Sequence, residues 1–136
     1  MRVSTKGRYA LRIMIDLAEH KDEGNISLKD IAERQGVSLK YLESIAAVFQ
    51  KEGYVVSHRG KSGGYCLAKS PAEYTIGDIL KLSEGSMAPV KCLDEDEHCD
   101  KAGECITLPL WEKLDAVIDE YLQSVTLQDL IDGNIR

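Results

Sequence analysis

The chain has 136 residues, 43% of them hydrophobic and 29% charged, with a formal net charge of −6. That composition belongs to a folded globular protein and excludes a disordered or collagen-like chain; no apolar run approaches the ~18–20 residues that cross a bilayer. The start, MRVSTKGRY, passes straight into a helical pattern, so it reads as no signal peptide and the expected location is cytoplasmic.

Net acidity taken alone argues against nucleic acid, but the charge is unevenly placed. Residues 1–70 carry 12 Lys and Arg against 8 Asp and Glu, and residues 71–136 carry 5 against 15. A basic front and an acidic back confine any electrostatic footprint for a polyanion to the first half.

In chain order, Ser4 or Thr5 can cap a first helix whose Tyr9, Ala10, Ile13, Met14, Leu17 and Ala18 recur at helical spacing. Gly24 and Asn25 break it. Ser27 to Asp30 has the form of a capping box opening a short helix, Gln35-Gly36-Val37 makes a tight turn, and Ser38 caps a third helix carrying Leu42, Ile45, Ala46 and Phe49. Helix, glycine turn and helix form a helix-turn-helix. Tyr54 to His58 is a β-branched strand, Arg59 to Gly64 a glycine-rich turn, and Tyr65 to Ala68 the return strand. A two-stranded ribbon there is a wing, so the expected fold is mainly α with a small β-wing. Residues 1–70 form this DNA-binding domain.

Residues 71–91 read as a connecting helix and linker, with a capping box at Thr75 to Asp78, and residues 92–107 as a cysteine-rich loop. Residues 108–136 supply a long helix capped by Thr107, with Pro109 in its first turn, then a short helix capped by Thr126. Leu110, Leu114, Val117, Ile118, Tyr121, Leu122 and Val125 form one apolar stripe along the long helix. Burying them would contribute on the order of 10–20 kcal/mol gross, enough for an obligate homodimer. A two-fold dimer sets two recognition helices ~34 Å apart, or a multiple of that, and predicts a palindromic double-stranded DNA operator.

The polar positions at the start of the third helix are Ser38, Lys40, Tyr41, Glu43 and Ser44, the end that reaches base edges first. Glu43 is unfavourable against a polyanion unless it accepts from cytosine N4, so it acts as a selectivity filter; otherwise it is a solvated helix charge. Arg59 and Lys61 at the wing tip suit the minor groove or flanking phosphates, and Lys6 and Arg8, with Arg2, add backbone contacts. About ten such charges in a dimer predict a slope of log K against log salt of roughly −9.

Cys92, Cys99 and Cys105 are separated by six and five residues, and Cys66 stands apart. Three thiolates on one short loop can converge on a soft metal. The intervals exceed the pairs usual for zinc and suit an iron–sulfur cluster better. Zinc and plain reactive or idle thiols stay open at this point. The acidic residues of the loop are expected to raise the thiol pKa values. No acid–base pair, nucleophile triad or phosphate loop appears, so no enzyme is expected.

The stretches MRVSTKGRYALRIMIDLA, IAERQGVSLKYLESI and RGKSGGY, with the cysteine loop running into LPLW, resemble the IscR/NsrR/CymR family of winged helix-turn-helix regulators, and most closely its iron–sulfur cluster regulators. The resemblance covers nearly the whole chain. It implies a homodimeric transcription factor with an iron–sulfur cluster, 2Fe-2S favoured and 4Fe-4S the alternative, on Cys92, Cys99 and Cys105, in control of cluster biogenesis. It also implies that Glu43 discriminates between operator classes. Two positions depart from it: Leu108 stands where IscR-type members carry a histidine ligand, and the N-terminal helix offers Arg8 where NsrR-type members use an aspartate. The first cysteine interval is also one residue longer than in IscR-type members. The fourth ligand stays open among His98, Asp94, Glu104, a water and a small thiol, while His58 and Cys66 read as structural. Two other functions compete: a cluster-independent, CymR-like repressor of sulfur and cysteine metabolism working with a protein partner, and an iron–sulfur carrier.

Overall fold

A computed structural model describes residues 2–94 and 103–135. Helix α1 (Thr5–Glu19) is capped by Ser4, whose hydroxyl accepts from the Gly7 N–H at 3.1 Å. It buries Ala10, Ile13, Met14, Leu17 and Ala18, as the periodicity requires. Helix α2 (Leu28–Gln35) starts at Ser27 and stops at Gly36, and α3 (Leu39–Lys51) starts at Ser38. Strands β1 (Val55–His58) and β2 (Gly64–Leu67) pair antiparallel, with Val55 opposite Leu67 and His58 opposite Gly64. The fold is the expected one, mainly helical with a two-stranded wing.

Three expected caps resolve differently. At Thr126 the box is complete: Asp129 N–H donates to Thr126 Oγ1 at 3.0 Å, and Thr126 N–H donates to Asp129 Oδ2 at 2.9 Å. At Thr75 only the hydroxyl half forms, because the Asp78 carboxylate instead accepts from Gln123 Nε2 at 3.1 Å. Thr107 does not cap α5 (Leu108–Ser124): its backbone is already helical, with ψ −13, which points the side chain away from the free amides of the first turn. Its hydroxyl sits 3.2 Å from Cys105 Sγ instead.

The core does not end at residue 70. Tyr74 and Ile79 join the cluster built on α1 and α3, as does Leu127 of α6 (Leu127–Asp132). Helix α4 (Ile76–Glu84) and α6 both pack on α1, because α2 and α3 cover only one side of it. Mutual backbone bonds fasten this return: Ile76 N–H donates to Val125 O and Leu127 N–H to Tyr74 O, each at 2.9 Å.

Helix α5 behaves otherwise, since none of its residues is buried. The expected single stripe divides. Leu122 and Val125 pack with Ile76 and Leu80 of the chain's own core, whereas Leu110, Val117 and Tyr121 are 58%, 49% and 44% exposed.

Candidate nucleic-acid interface and cysteine segment

One face of α3 is sealed into the core through Leu42, Ile45, Ala46 and Phe49, and this turns Ser38, Lys40, Glu43 and Ser44 to the surface. Ser38 Oγ accepts from Tyr41 N–H at 3.2 Å, leaving its own O–H free to donate outward. Ser44 is the reverse: its O–H donates to Tyr41 O at 2.7 Å, so outward it can only accept. Tyr41 is half-buried, with its ring edge-on to Tyr9 of α1 at 5.9 Å. It braces α3 against α1 besides standing at the expected surface position. Arg12 lies 5.1 Å above the same Tyr9 ring.

The wing is held from behind by the loop between α1 and α2. Ile26 exchanges two backbone bonds with Tyr65, at 2.8 and 2.7 Å, and Asn25 Nδ2 donates to Ser62 O at 3.0 Å. Gly64 is required here: its φ is +146, and a Cβ would fall 2.5 Å from Ile26 O. Arg59 and Lys61 project from this anchored turn and are exposed, as are Lys6 and Arg8 on the first turns of α1. The α1 helix packs on both α3 and β2, so the basic residues of α1, α3 and the wing sit on one body.

Of the cysteines, Cys92 is half-buried in a single 3-10 turn (Lys91–Leu93), and Cys105 is half-buried just before α5. Cys99 and His98 lie outside the described residues. The Cys105 thiol is held below the usual cysteine range, first by the Thr107 hydroxyl, then by the Thr107 and Leu108 backbone amides at the start of α5. This corrects the expectation that acidic neighbours raise it; the donors at the helix end act at shorter range. Among the described residues, Asp94 is engaged by Ser86 Oγ, Glu104 is exposed, and Leu108 opens α5 with no metal-ligating atom in its side chain. Cys66 lies opposite Val56 on the wing, its Sγ 3.9 Å from His58 Nε2. The thiol chemistry of Cys92 and Cys105 fits a thiolate-ligated iron centre.

The sequence model of the Rrf2 family, described as iron-dependent transcriptional regulators, matches residues 3–133. The HTH-type transcriptional regulator IscR of Pectobacterium carotovorum is 40% identical over 133 residues, spanning 98% of this chain and 80% of that protein. CymR (YrzC), the global cysteine regulator of B. subtilis, matches in structure with a TM-score of 0.81 at 41% identity, covering 98% of each chain. T. potens IscR matches at 0.79 and 42% identity, covering 98% of this chain and 88% of that one. These relatives are transcriptional regulators and not enzymes. With the winged helix-turn-helix already in place, the match over nearly its full length shows that the chain belongs to the Rrf2 family of DNA-binding transcriptional regulators.

Proposed function

We propose that this regulator acts in the cytoplasm as a homodimer joined through α5. On this reading its binding to a palindromic double-stranded operator responds to an iron–sulfur cluster on Cys92, Cys99 and Cys105, and it controls cluster biogenesis. The observation that carries the proposal is the position of Cys105: its Sγ lies 3.2 Å from the Thr107 hydroxyl at the amino end of a helix whose Leu110, Val117 and Tyr121 are exposed. A change at the thiols then acts on the element that joins two protomers and sets the distance between their recognition helices. Ser38, Lys40, Tyr41, Glu43 and Ser44 read the major groove, with Glu43 selecting and Lys40 binding. Arg59, Lys61, Lys6 and Arg8 hold phosphates or the minor groove. The cluster is 2Fe-2S by resemblance, with 4Fe-4S the alternative.

Anaerobic purification tests the cluster. A coloured protein with visible charge-transfer absorption, lost in Cys92→Ala, supports it. Operator binding titrated against salt should fall with a slope of roughly −9 if about ten phosphates are engaged. A second reading is favoured by one residue, Leu108, which has no metal-ligating atom in its side chain where a fourth ligand is expected. There the protein is a cluster-independent, CymR-like regulator of sulfur or cysteine metabolism with a protein partner. A colourless protein with unchanged operator affinity in the triple cysteine variant selects that reading.

A further inference from the structure

The carboxylate of Glu84, at the end of α4, lies against the start of α1. Its Oε1 accepts from the Ser4 backbone N–H at 3.1 Å and from the Ser4 hydroxyl. Ser4 is itself the residue that caps α1. One oxygen of Glu84 therefore takes both donors of the cap, and its negative charge sits at the favourable end of the helix. Gly7 makes the approach feasible: it is buried, and a Cβ there would overlap Glu84 Oε1. Lys6 and Arg8, both exposed, flank Gly7 on this same turn. On the other side, Glu84 is followed by Gly85 with φ 84, where the chain leaves α4 for the connector leading to Cys92.

We propose that Glu84 is a positioning residue for DNA binding. It clasps the first turn of α1 so that Lys6 and Arg8 are held at fixed phosphates, and it fastens that turn to the lead-in of the cysteine segment. The proposal rests on the reading of Lys6 and Arg8 as phosphate contacts. Without Glu84 the capping residue Ser4 loses its tie to α4, and a first turn held less firmly frays and scatters these two cations. A carboxylate near DNA also repels it, so a purely electrostatic role predicts the opposite result: any substitution removing the charge would tighten binding. Glu84→Gln removes the charge and keeps the acceptor oxygen, whereas Glu84→Ala removes both.

The test uses the full chain and a duplex selected by the wild-type protein from a random-sequence pool, with affinity measured between 50 and 200 mM salt, the range over which the phosphate term is large. Two residues in each of two protomers engage up to four phosphates, so Lys6→Ala/Arg8→Ala should flatten the slope by up to about 3.6. Glu84→Ala should lose about 2 or more of slope and Glu84→Gln about 0.5 or less on the same scale. Amide exchange over residues 5–8 of the free protein should speed up in Glu84→Ala and stay slow in Glu84→Gln. The proposal is overturned if both variants give the same slope. It is equally overturned if Glu84→Ala weakens binding with the slope unchanged, which marks general damage to the fold. If Lys6→Ala/Arg8→Ala leaves the slope unchanged, α1 touches no phosphate, and the proposal falls together with the reading beneath it.

Discussion

Replacing Arg34 with methionine would strand Asp16, the one buried charge among the described residues. Asp16 is 3% exposed, and Arg34 binds it in a fork, Nε to Oδ2 at 3.0 Å and Nη2 to Oδ1 at 2.6 Å, joining α2 to α1. The same contact holds the Arg34 pKa above its usual value. Removing one partner of a buried pair costs about 3–5 kcal/mol, because the other charge is left without compensation. The lower end applies here: the Arg34 side chain is 38% exposed, so water enters behind it, and Gln35 Nε2 at 3.4 Å and His20 Nδ1 at 3.4 Å remain near the carboxylate. An unfolding entropy of ~2.1 cal/mol/K per residue over 136 residues gives about 0.29 kcal/mol/K, so a loss of ~3 kcal/mol lowers Tm by about 10 °C. Denaturant and thermal unfolding at one fixed protein concentration measure it, since association shifts the midpoint. Asp16→Leu/Arg34→Met, which removes both charges, should regain a substantial part of the loss. The reasoning is refuted if Arg34→Met costs less than ~1 kcal/mol, or if the double variant is no more stable than the single one.

Three further outcomes follow from particular side chains. Gly64→Ala pushes a Cβ into Ile26 O and imposes a positive φ, at about 1–3 kcal/mol; operator affinity should fall about tenfold by mobility shift, ~1.4 kcal/mol, as the wing loses its anchor. Tyr74→Phe leaves Tyr54 O and Lys69 N–H without the hydroxyl that serves both, at 2.7 and 3.0 Å, and should cost about 1–3 kcal/mol in a denaturant titration. Burial raises the Tyr74 and Tyr54 phenols above their ordinary value, so the folded state binds these protons more tightly. Their contribution is complete below pH ~10 and is lost as pH rises through the raised folded values; the alkaline limb of stability should flatten in Tyr74→Phe. Val117→Asp or Tyr121→Asp, at positions 49% and 44% exposed, should give a folded monomer in sedimentation velocity.

Local chemistry explains what was legible in the residue order. The α5 boundaries, Leu108–Ser124, follow from a proline in the first turn and an apolar repeat. The hydroxyl caps at Ser4, Ser38 and Thr126 and the glycine-rich wing turn are likewise decided by neighbours within four residues. The basic tip of the wing and the polar start of α3 were readable for the same reason, since the core side of each element dictates which side faces outward. Even Thr107 was misjudged only because its backbone angle, not its identity, decides whether it caps.

Partners far apart in the chain carry no such local signal. Nothing near Asp16 in the chain marks it as buried; its partner Arg34 stands 18 residues on. Asn25, read only as a break after the first helix, and its neighbour Ile26 anchor the wing 37 to 39 residues downstream. Leu127 returns to the core of α1, and Glu84 reaches Ser4 across 80 residues. The cost of closing such long loops is met by burial and by pairing polar groups that would otherwise be stranded, and those gains exist only once the elements have docked. Residue order by itself thus determined the helices, the wing and the basic face; tertiary packing decided how that face is braced and which part of α5 stays exposed.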